Sequence, residues 1–246
     1  MVSKSNTKAF YESLNRGGVS RGVLGIDQRF NVHKILGKNN INENFVKEIS
    51  PFLNKKKVVL DLGCGPGAFS ISIADKCKMI YSIDIVKDFV ISAQQNALYY
   101  KKNNIITKFQ ANEKIPAKSN FFDVVLLVDV LHHVENIDDF LIEIKRVLKT
   151  NGYLIIFEPN KLNPLMYAMH WLDDNERGLL KLGRPNIYRK KLENFFTIKH
   201  LKFSGLVIGP DSKIFDYIVN FLKIKIINIF IGWLLPKIFI VGKKSE

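Results

Sequence analysis

Two groups of residues in this chain are spaced for chemistry. The first is VVLDLGCGPGAFS, residues 58–70, in which an apolar run enters Gly63, Gly65 and Gly67 and then opens a helical pattern. Glycines so placed permit a tight turn with positive φ and let a ligand approach the backbone closely. Asp84, in YSIDIV, ends the next apolar run 23 residues after Asp61, where it can accept two hydrogen bonds from a ribose diol. Together the turn and the acid describe an adenosine-containing ligand lying across two neighbouring strands. Gly63, Gly65 and Ala68 also satisfy the loose G-x-G-x-x-G/A pattern, so the turn alone does not separate a dinucleotide from another adenosine ligand. Asp61 makes the distinction, because a carboxylate two residues before the turn opposes a pyrophosphate and favours an ammonium or sulfonium group. An Asp here can also simply tie the turn by bonding backbone N–H groups.

The second group is Asp129, His132 and His133, just past the apolar run FDVVLLV. An imidazole, titrating near about 6.5, is suited to take a proton from a hydroxyl acceptor, so His132, His133 and Asp129 are the catalytic candidates. The competing reading is a histidine that caps or packs the turn. With Glu158 these residues also have the composition of a two-His, carboxylate metal site, but their spacing matches no metal motif and no metal is expected.

The elements that must position these groups follow from periodicity. Short apolar runs alternate with helical patterns from Lys57 onward, as in βαβ units and a parallel, doubly wound α/β sheet. Strands are expected at Val58 to Leu62, Met79 to Ile83, Ile106 to Gln110, Val124 to Val128 and Tyr153 to Phe157, with a final pair at Phe196 to Phe203 and Lys237 to Val241. Helices are expected at about Ala68 to Lys76, Lys87 to Asn103 and Ile137 to Val147, the last ending in LKTNG, where Lys149 suits the helix dipole and Gly152 closes the turn. Residues 1–56 read as a helical cap with Phe10, Tyr11 and Leu14 at helical spacing, 57–158 as the ligand-binding core, and 159–246 as an acceptor-side region opening with a helical insertion. Tyr11, His170 and Trp171 are acceptor-side candidates, although aromatics at such places more often bury a helix. No Gly- or Ser-rich linker divides the chain, so it is read as one domain.

Four segments, VLDLGCGPG (59–67), the acid Asp84, FDVVLLVDVLHHV (122–134) and VLKTNGYLIIFEPN (147–160), occur in the order and spacing of a known family. The chain resembles the class I S-adenosylmethionine-dependent methyltransferases, in particular their small-molecule branch. The resemblance covers roughly 57–158 and implies a Rossmann-like, mostly parallel seven-stranded sheet with S-adenosylmethionine as cofactor. It implies that Asp61, Gly63, Cys64 and Gly65 hold the methionine part, Asp84 the ribose, and Ile85 one face of the adenine, with Val128 nearby. Many relatives place a Gly-Asp-Ala segment before the fourth strand, its Asp reaching the adenine amino group. Here Ala111 stands at the acidic place, and Asn112 and Glu113 are the substitutes.

The implied activity is methyl transfer to a small-molecule or lipid-like acceptor at oxygen. A non-catalytic binding module, an RNA methyltransferase and a nicotinamide-dependent oxidoreductase are the alternatives. A formal charge of +14 suits anionic surfaces, but no Asn-Pro-Pro-Tyr motif follows the fourth strand, so nucleic acid is not the expected partner. Residues 214–235 are apolar but interrupted by Asp216, Asn220, Lys223, Lys225 and Asn228, which fits an interfacial helix meeting anionic lipid with help from Lys237, Lys243 and Lys244, or else a core helix. Cys64 and Cys77 form no ligand-spaced pair, and the N-terminal stretch has no apolar signal core. The expectation is therefore cytoplasmic, peripheral on the inner face of a membrane.

Overall fold

The computed structural model describes residues 30–37, 41–111, 114–172, 181–206 and 213–245. Near-continuous Val, Ile and Leu runs become strands covered on both faces. Five strands run parallel: β1 (Val58–Leu62), β2 (Met79–Asp84), β3 (Ile105–Phe109), β4 (Phe122–Val128) and β5 (Leu148–Pro159). With β6 (Thr197–Ser204) and β7 (Lys237–Lys243) they form one seven-stranded sheet in the order β3-β2-β1-β4-β5-β7-β6. β7 is antiparallel to both of its neighbours. The order reverses between β1 and β4, and at such a switch point a crevice opens beyond the carboxyl ends of the strands.

Helices cover both faces. They are α1 (Val32–Leu36), a helical run over 42–52, α2 (Ala68–Ile73), α3 (Lys87–Tyr99), α4 (Ile137–Val147), α5 (Pro164–Leu172), α6 (Pro185–Leu192), α7 (Lys213–Leu222) and α8 (Lys225–Ile231). Alternation along β1 divides the core: Val59 joins Phe45, Ala68 and Ile80 on one face, while Leu60 and Leu62 join Val125, Leu141 and Tyr188 on the other. α4 starts where the Asn136 side chain accepts from the Asp139 N–H, with Asp138 and Asp139 in its first turn and Lys145 and Arg146 in its last.

The parallel core and the final strand pair match the sequence reading, and three local expectations do not. α4 stops at Val147, and Lys149 lies in β5, where it pairs with Asp123 at 3.0 Å instead of meeting helix carbonyls. Asn151, not Gly152, takes the left-handed conformation there (φ 63); Gly152 is small because a Cβ would come within 2.8 Å of the Lys149 carbonyl. The 214–235 stretch is two helices rather than one, broken at 223–224, and the Asn228 side chain caps the freed Leu222 carbonyl at 3.0 Å. Phe10, Tyr11, Leu14, Asn112 and Glu113 lie outside the described residues.

Candidate active site

The glycine turn after β1 is built by its neighbours. Gly63, Gly65 and Gly67 have φ of 76, 52 and 90, and Gly63 N–H donates to the Ile83 carbonyl at 2.8 Å. A Cβ on Gly63 would sit 2.5 Å from the Val130 side chain, so close approach as well as positive φ fixes glycine there. At Gly65 a Cβ would meet no protein atom within 4 Å, and the open space is the ligand side of the turn.

Asp84 closes the same wall. Its two carboxylate oxygens accept from Gly65 N–H at 2.9 Å and Val86 N–H at 2.8 Å, which aims the group into the crevice. Burial raises its pKa to about 6, against the lowering pull of those backbone bonds. Asp61 behaves otherwise. Its side chain turns under α2, 1% exposed and off the cavity wall, where it accepts from Ser70 Oγ at 2.6 Å, which in turn lies 2.6 Å from Ser82 Oγ. Desolvation, opposed by the Ser70 bond and reinforced by Asp84, pushes it up to about 7. Asp61 therefore lies behind the turn rather than on the cavity wall, where the resemblance implied a direct contact. The reason is the strand alternation that sends it to the face of Val59.

A cavity of about 540 Å³ joins these groups to the end of β4. Gly63, Cys64, Gly65, Asp84, Ile85 and Val128 all line it. Burial lifts the Cys64 thiol well above its usual value, so it is an inert wall atom. Gln110, which the sequence reading treated only as a strand end, also lines the cavity, and its N–H donates to the Asp84 carbonyl at 2.9 Å. Phe30, Ile35, Phe69, Phe89 and Phe140 supply much of the rest of the wall.

The three catalytic candidates separate. Asp129 and His133 line the cavity and His132 does not. His132 is 4% exposed and its Nδ1 lies 2.6 Å from Glu158 Oε2; the two histidine rings are 3.9 Å apart. Glu158, fully buried, also accepts from the N–H groups of Val130 and Leu131 at 2.9 and 2.7 Å and from Tyr188 Oη at 3.2 Å. Although burial pushes its pKa up, His132, the backbone donors and Lys237 hold it below the usual carboxylate range. An ionised Glu158 accepts only, so His132 carries its proton on Nδ1. Thus Glu158 and His132 tie the turn together behind the cavity wall. Asp129 sits in the left-handed region (φ 56) and is bonded by the Lys237 ammonium. His170 is buried with Nδ1 2.7 Å from the Met166 carbonyl, and Trp171 is exposed. Among the described residues no group of three or more His, Cys, Asp or Glu is arranged to hold a metal.

A family model of a methyltransferase domain matches residues 60–156, the span that carries the turn, Asp84 and the β4 end. The chain carries a methyltransferase domain over that span and is an S-adenosylmethionine-dependent methyltransferase. This methyltransferase is 27% identical over 202 residues to the ubiquinone biosynthesis O-methyltransferase of Rickettsia akari, covering 77% of this chain and 76% of that one. Against its Rickettsia typhi counterpart it is 26% identical over 220 residues, 85% of each chain. Among solved structures, a SAM-dependent methyltransferase from Aquifex aeolicus superposes with a TM-score of 0.63 at 16% identity, covering 88% of this chain and 98% of that one. S-adenosylmethionine is the cofactor of this methyltransferase, and the space at Gly65 and the carboxylate aimed past it fit an adenosyl group.

Proposed function

We propose that this enzyme methylates a phenolic hydroxyl of a quinone-like small molecule bearing an apolar tail, working at a membrane surface. The observation that supports this reading best is one cavity lined by Asp84, His133 and Asp129 together with aromatic and aliphatic side chains. The O-methyltransferase relatives agree with it.

In this reading Asp84 holds the ribose hydroxyls, Gly63, Cys64 and Gly65 cradle the methionine part with the Asp61 charge behind them, and Ile85, Val128 and Gln110 bound the adenosyl group. Bound there, S-adenosylmethionine supplies an electrophilic methyl group. The chain must align the acceptor oxygen, exclude water and receive the hydroxyl proton. His133 is the wall group suited to receive it, at a ring nitrogen, and Asp129 orients the acceptor by accepting from a neighbouring hydroxyl. His132, tied to Glu158, positions the turn that carries His133.

The surface reading rests on exposed aromatics. Tyr217, Ile218 and Phe221 of α7, Ile229 and Phe230 of α8, and Trp233 stand in solvent, as do Leu165, Tyr167 and Trp171 of α5. Asn160 and Asn163, at the start of α5, bond the carbonyls of Trp233, Leu234 and Leu235 and so stitch the two apolar segments together. Lys223 and Lys225 are exposed beside them and suit anionic headgroups. Lys237 and Lys244 do not, being taken up by Asp129 and by Asn120 Oδ1 with the carbonyls of Lys145 and Leu148. No helix among the described residues is long and apolar enough to cross a membrane.

The test is transfer of labelled methyl from S-adenosylmethionine to 4-dodecylcatechol in phosphatidylglycerol vesicles. A labelled aryl methyl ether is expected, with turnover lowered by about 100-fold or more in His133→Asn and cofactor affinity unchanged. Turnover equal to wild type in that variant overturns the base assignment, and methyl recovered only on carbon or nitrogen overturns the acceptor class.

A further inference from the structure

Lys237 is the first residue of β7, whose following residues Ile238 to Val241 are buried and apolar. It is itself only 5% exposed. Even a paired buried ammonium is often no better for stability than an apolar side chain of similar volume, so the sheet alone does not call for a lysine at this place. The charge therefore needs an explanation beyond stability.

Its partner supplies one. The Lys237 ammonium bonds Asp129 Oδ1, and the Asp129 backbone N–H donates to the Phe157 carbonyl at 2.9 Å. Asp129 is thus held from both its side chain and its main chain, in a left-handed conformation that a non-glycine residue adopts only when its surroundings impose it. Pairing of Pro159 with Lys237 in the antiparallel β5–β7 ladder brings the ammonium behind the carboxyl end of β4. Asp129 itself lines the cavity, on the wall that His133 shares.

We infer that Lys237 is a positioning residue for methyl transfer, acting through Asp129: it pins the carboxylate, which accepts from a neighbouring hydroxyl of the acceptor and so directs the reacting hydroxyl toward His133. The inference rests on the acceptor-end reading given above. Two groups divide the work at this end. Asp129, already engaged by a cation, accepts from the hydroxyl beside the reacting one, and the proton of the reacting hydroxyl goes to the imidazole. A carboxylate released from Lys237 is free to swing, and misplacement of a reacting group by about 1 Å costs on the order of 100-fold in rate.

The experiment measures cofactor affinity by calorimetry, and kcat and KM for 4-dodecylcatechol in phosphatidylglycerol vesicles, for Lys237→Met, Lys237→Arg, Asp129→Asn/Lys237→Met and His133→Asn. The expected result is a kcat at least tenfold down in Lys237→Met with the S-adenosylmethionine dissociation constant within twofold of wild type. Arginine, which keeps the charge and the bond, should recover kcat to within about fivefold of wild type. Because Lys237 acts through Asp129, the double variant should match Lys237→Met within about threefold. A kcat drop smaller than tenfold in Lys237→Met, failure of arginine to exceed methionine, or a further tenfold loss in the double variant each overturns the inference. If Lys237→Met no longer binds cofactor, the double variant, a neutral pair, and Lys237→Arg decide by the same limits measured against wild type. His133→Asn keeps the two questions apart: full turnover there removes the base assignment and leaves the Lys237 and Asp129 comparison to be judged on its own.

Discussion

Replacing Asp84 by Asn should separate cofactor binding from folding. The carboxylate is 6% exposed and its pKa is raised from 3.8 to about 6. At about 1.36 kcal/mol per pH unit, that displacement makes ionised Asp84 cost the fold about 3 kcal/mol above neutral pH. Asparagine removes the charge and that cost. It also loses one acceptor, leaving either Gly65 or Val86 N–H without its 2.9 or 2.8 Å bond, a loss of about 1–3 kcal/mol. The two changes nearly cancel, and stability should stay close to wild type. Binding has no such offset. Two charge-assisted bonds to a ribose diol are worth about 1.5–3 kcal/mol each, so affinity for S-adenosylmethionine should fall by roughly 100-fold or more. Calorimetric titration measures the affinity and urea unfolding the stability. An affinity within threefold of wild type, in a variant that unfolds at the same urea concentration, would refute the ribose assignment.

Three further outcomes follow from the same turn. Asp61 and Asp84, raised to about 7 and about 6, still carry protons in the free protein near pH 6, whereas a cation and two diol hydroxyls favour their ionised forms. Cofactor affinity should therefore rise from pH 5.5 to pH 8 with proton release near pH 6.5, measured by calorimetry in buffers of different ionisation enthalpy. Equal affinity across that range contradicts it. The sign for the unliganded fold is opposite: both acids hold protons that the unfolded chain has already lost, so their contribution to stability declines as pH rises from about 4 to about 7 and is flat above. Gly63→Ala should cost about 1–3 kcal/mol, since its Cβ would lie 2.5 Å from Val130 Cγ2 at a φ of 76; an unchanged urea midpoint speaks against the close-packed turn.

How much of this was readable from sequence depended on how local the cause is. The strands of the parallel core announce themselves because burial on both faces demands continuous apolar runs, and Asp84 because the strand before it ends there. Asp61 is legible as a charge at the turn, but its face is not, since alternation along five residues decides which side of the sheet it takes. His132 and His133 are adjacent in sequence and alike in type; only the long-range bond to Glu158, 26 residues on, sends one inward and leaves the other on the wall. Lys237 lies 108 residues from Asp129, and nothing in its neighbours marks it as more than a cation at a strand start. Tyr188 reaches Glu158 from α6 for the same reason of distance. The break in 214–235 depends on a side-chain cap by Asn228 that hydropathy does not register.

The position of β7 bears on how the enzyme is made. Synthesis delivers β1 to β5 by residue 159, and these five already form the contiguous block β3-β2-β1-β4-β5. β6 emerges next, but its place is beyond β7, and it has no neighbour in the sheet until residues 237–243 leave the ribosome. During that interval the outer edge of β5, with Leu154, Ile155, Ile156 and Phe157, stands open on the nascent chain, the kind of edge that pairs with other chains. The residues that line the pocket can thus come together early, while the lysine that pins Asp129 arrives last, so a ribosome stalled before that strand holds a chain with its cofactor wall complete and its acceptor end still unpinned.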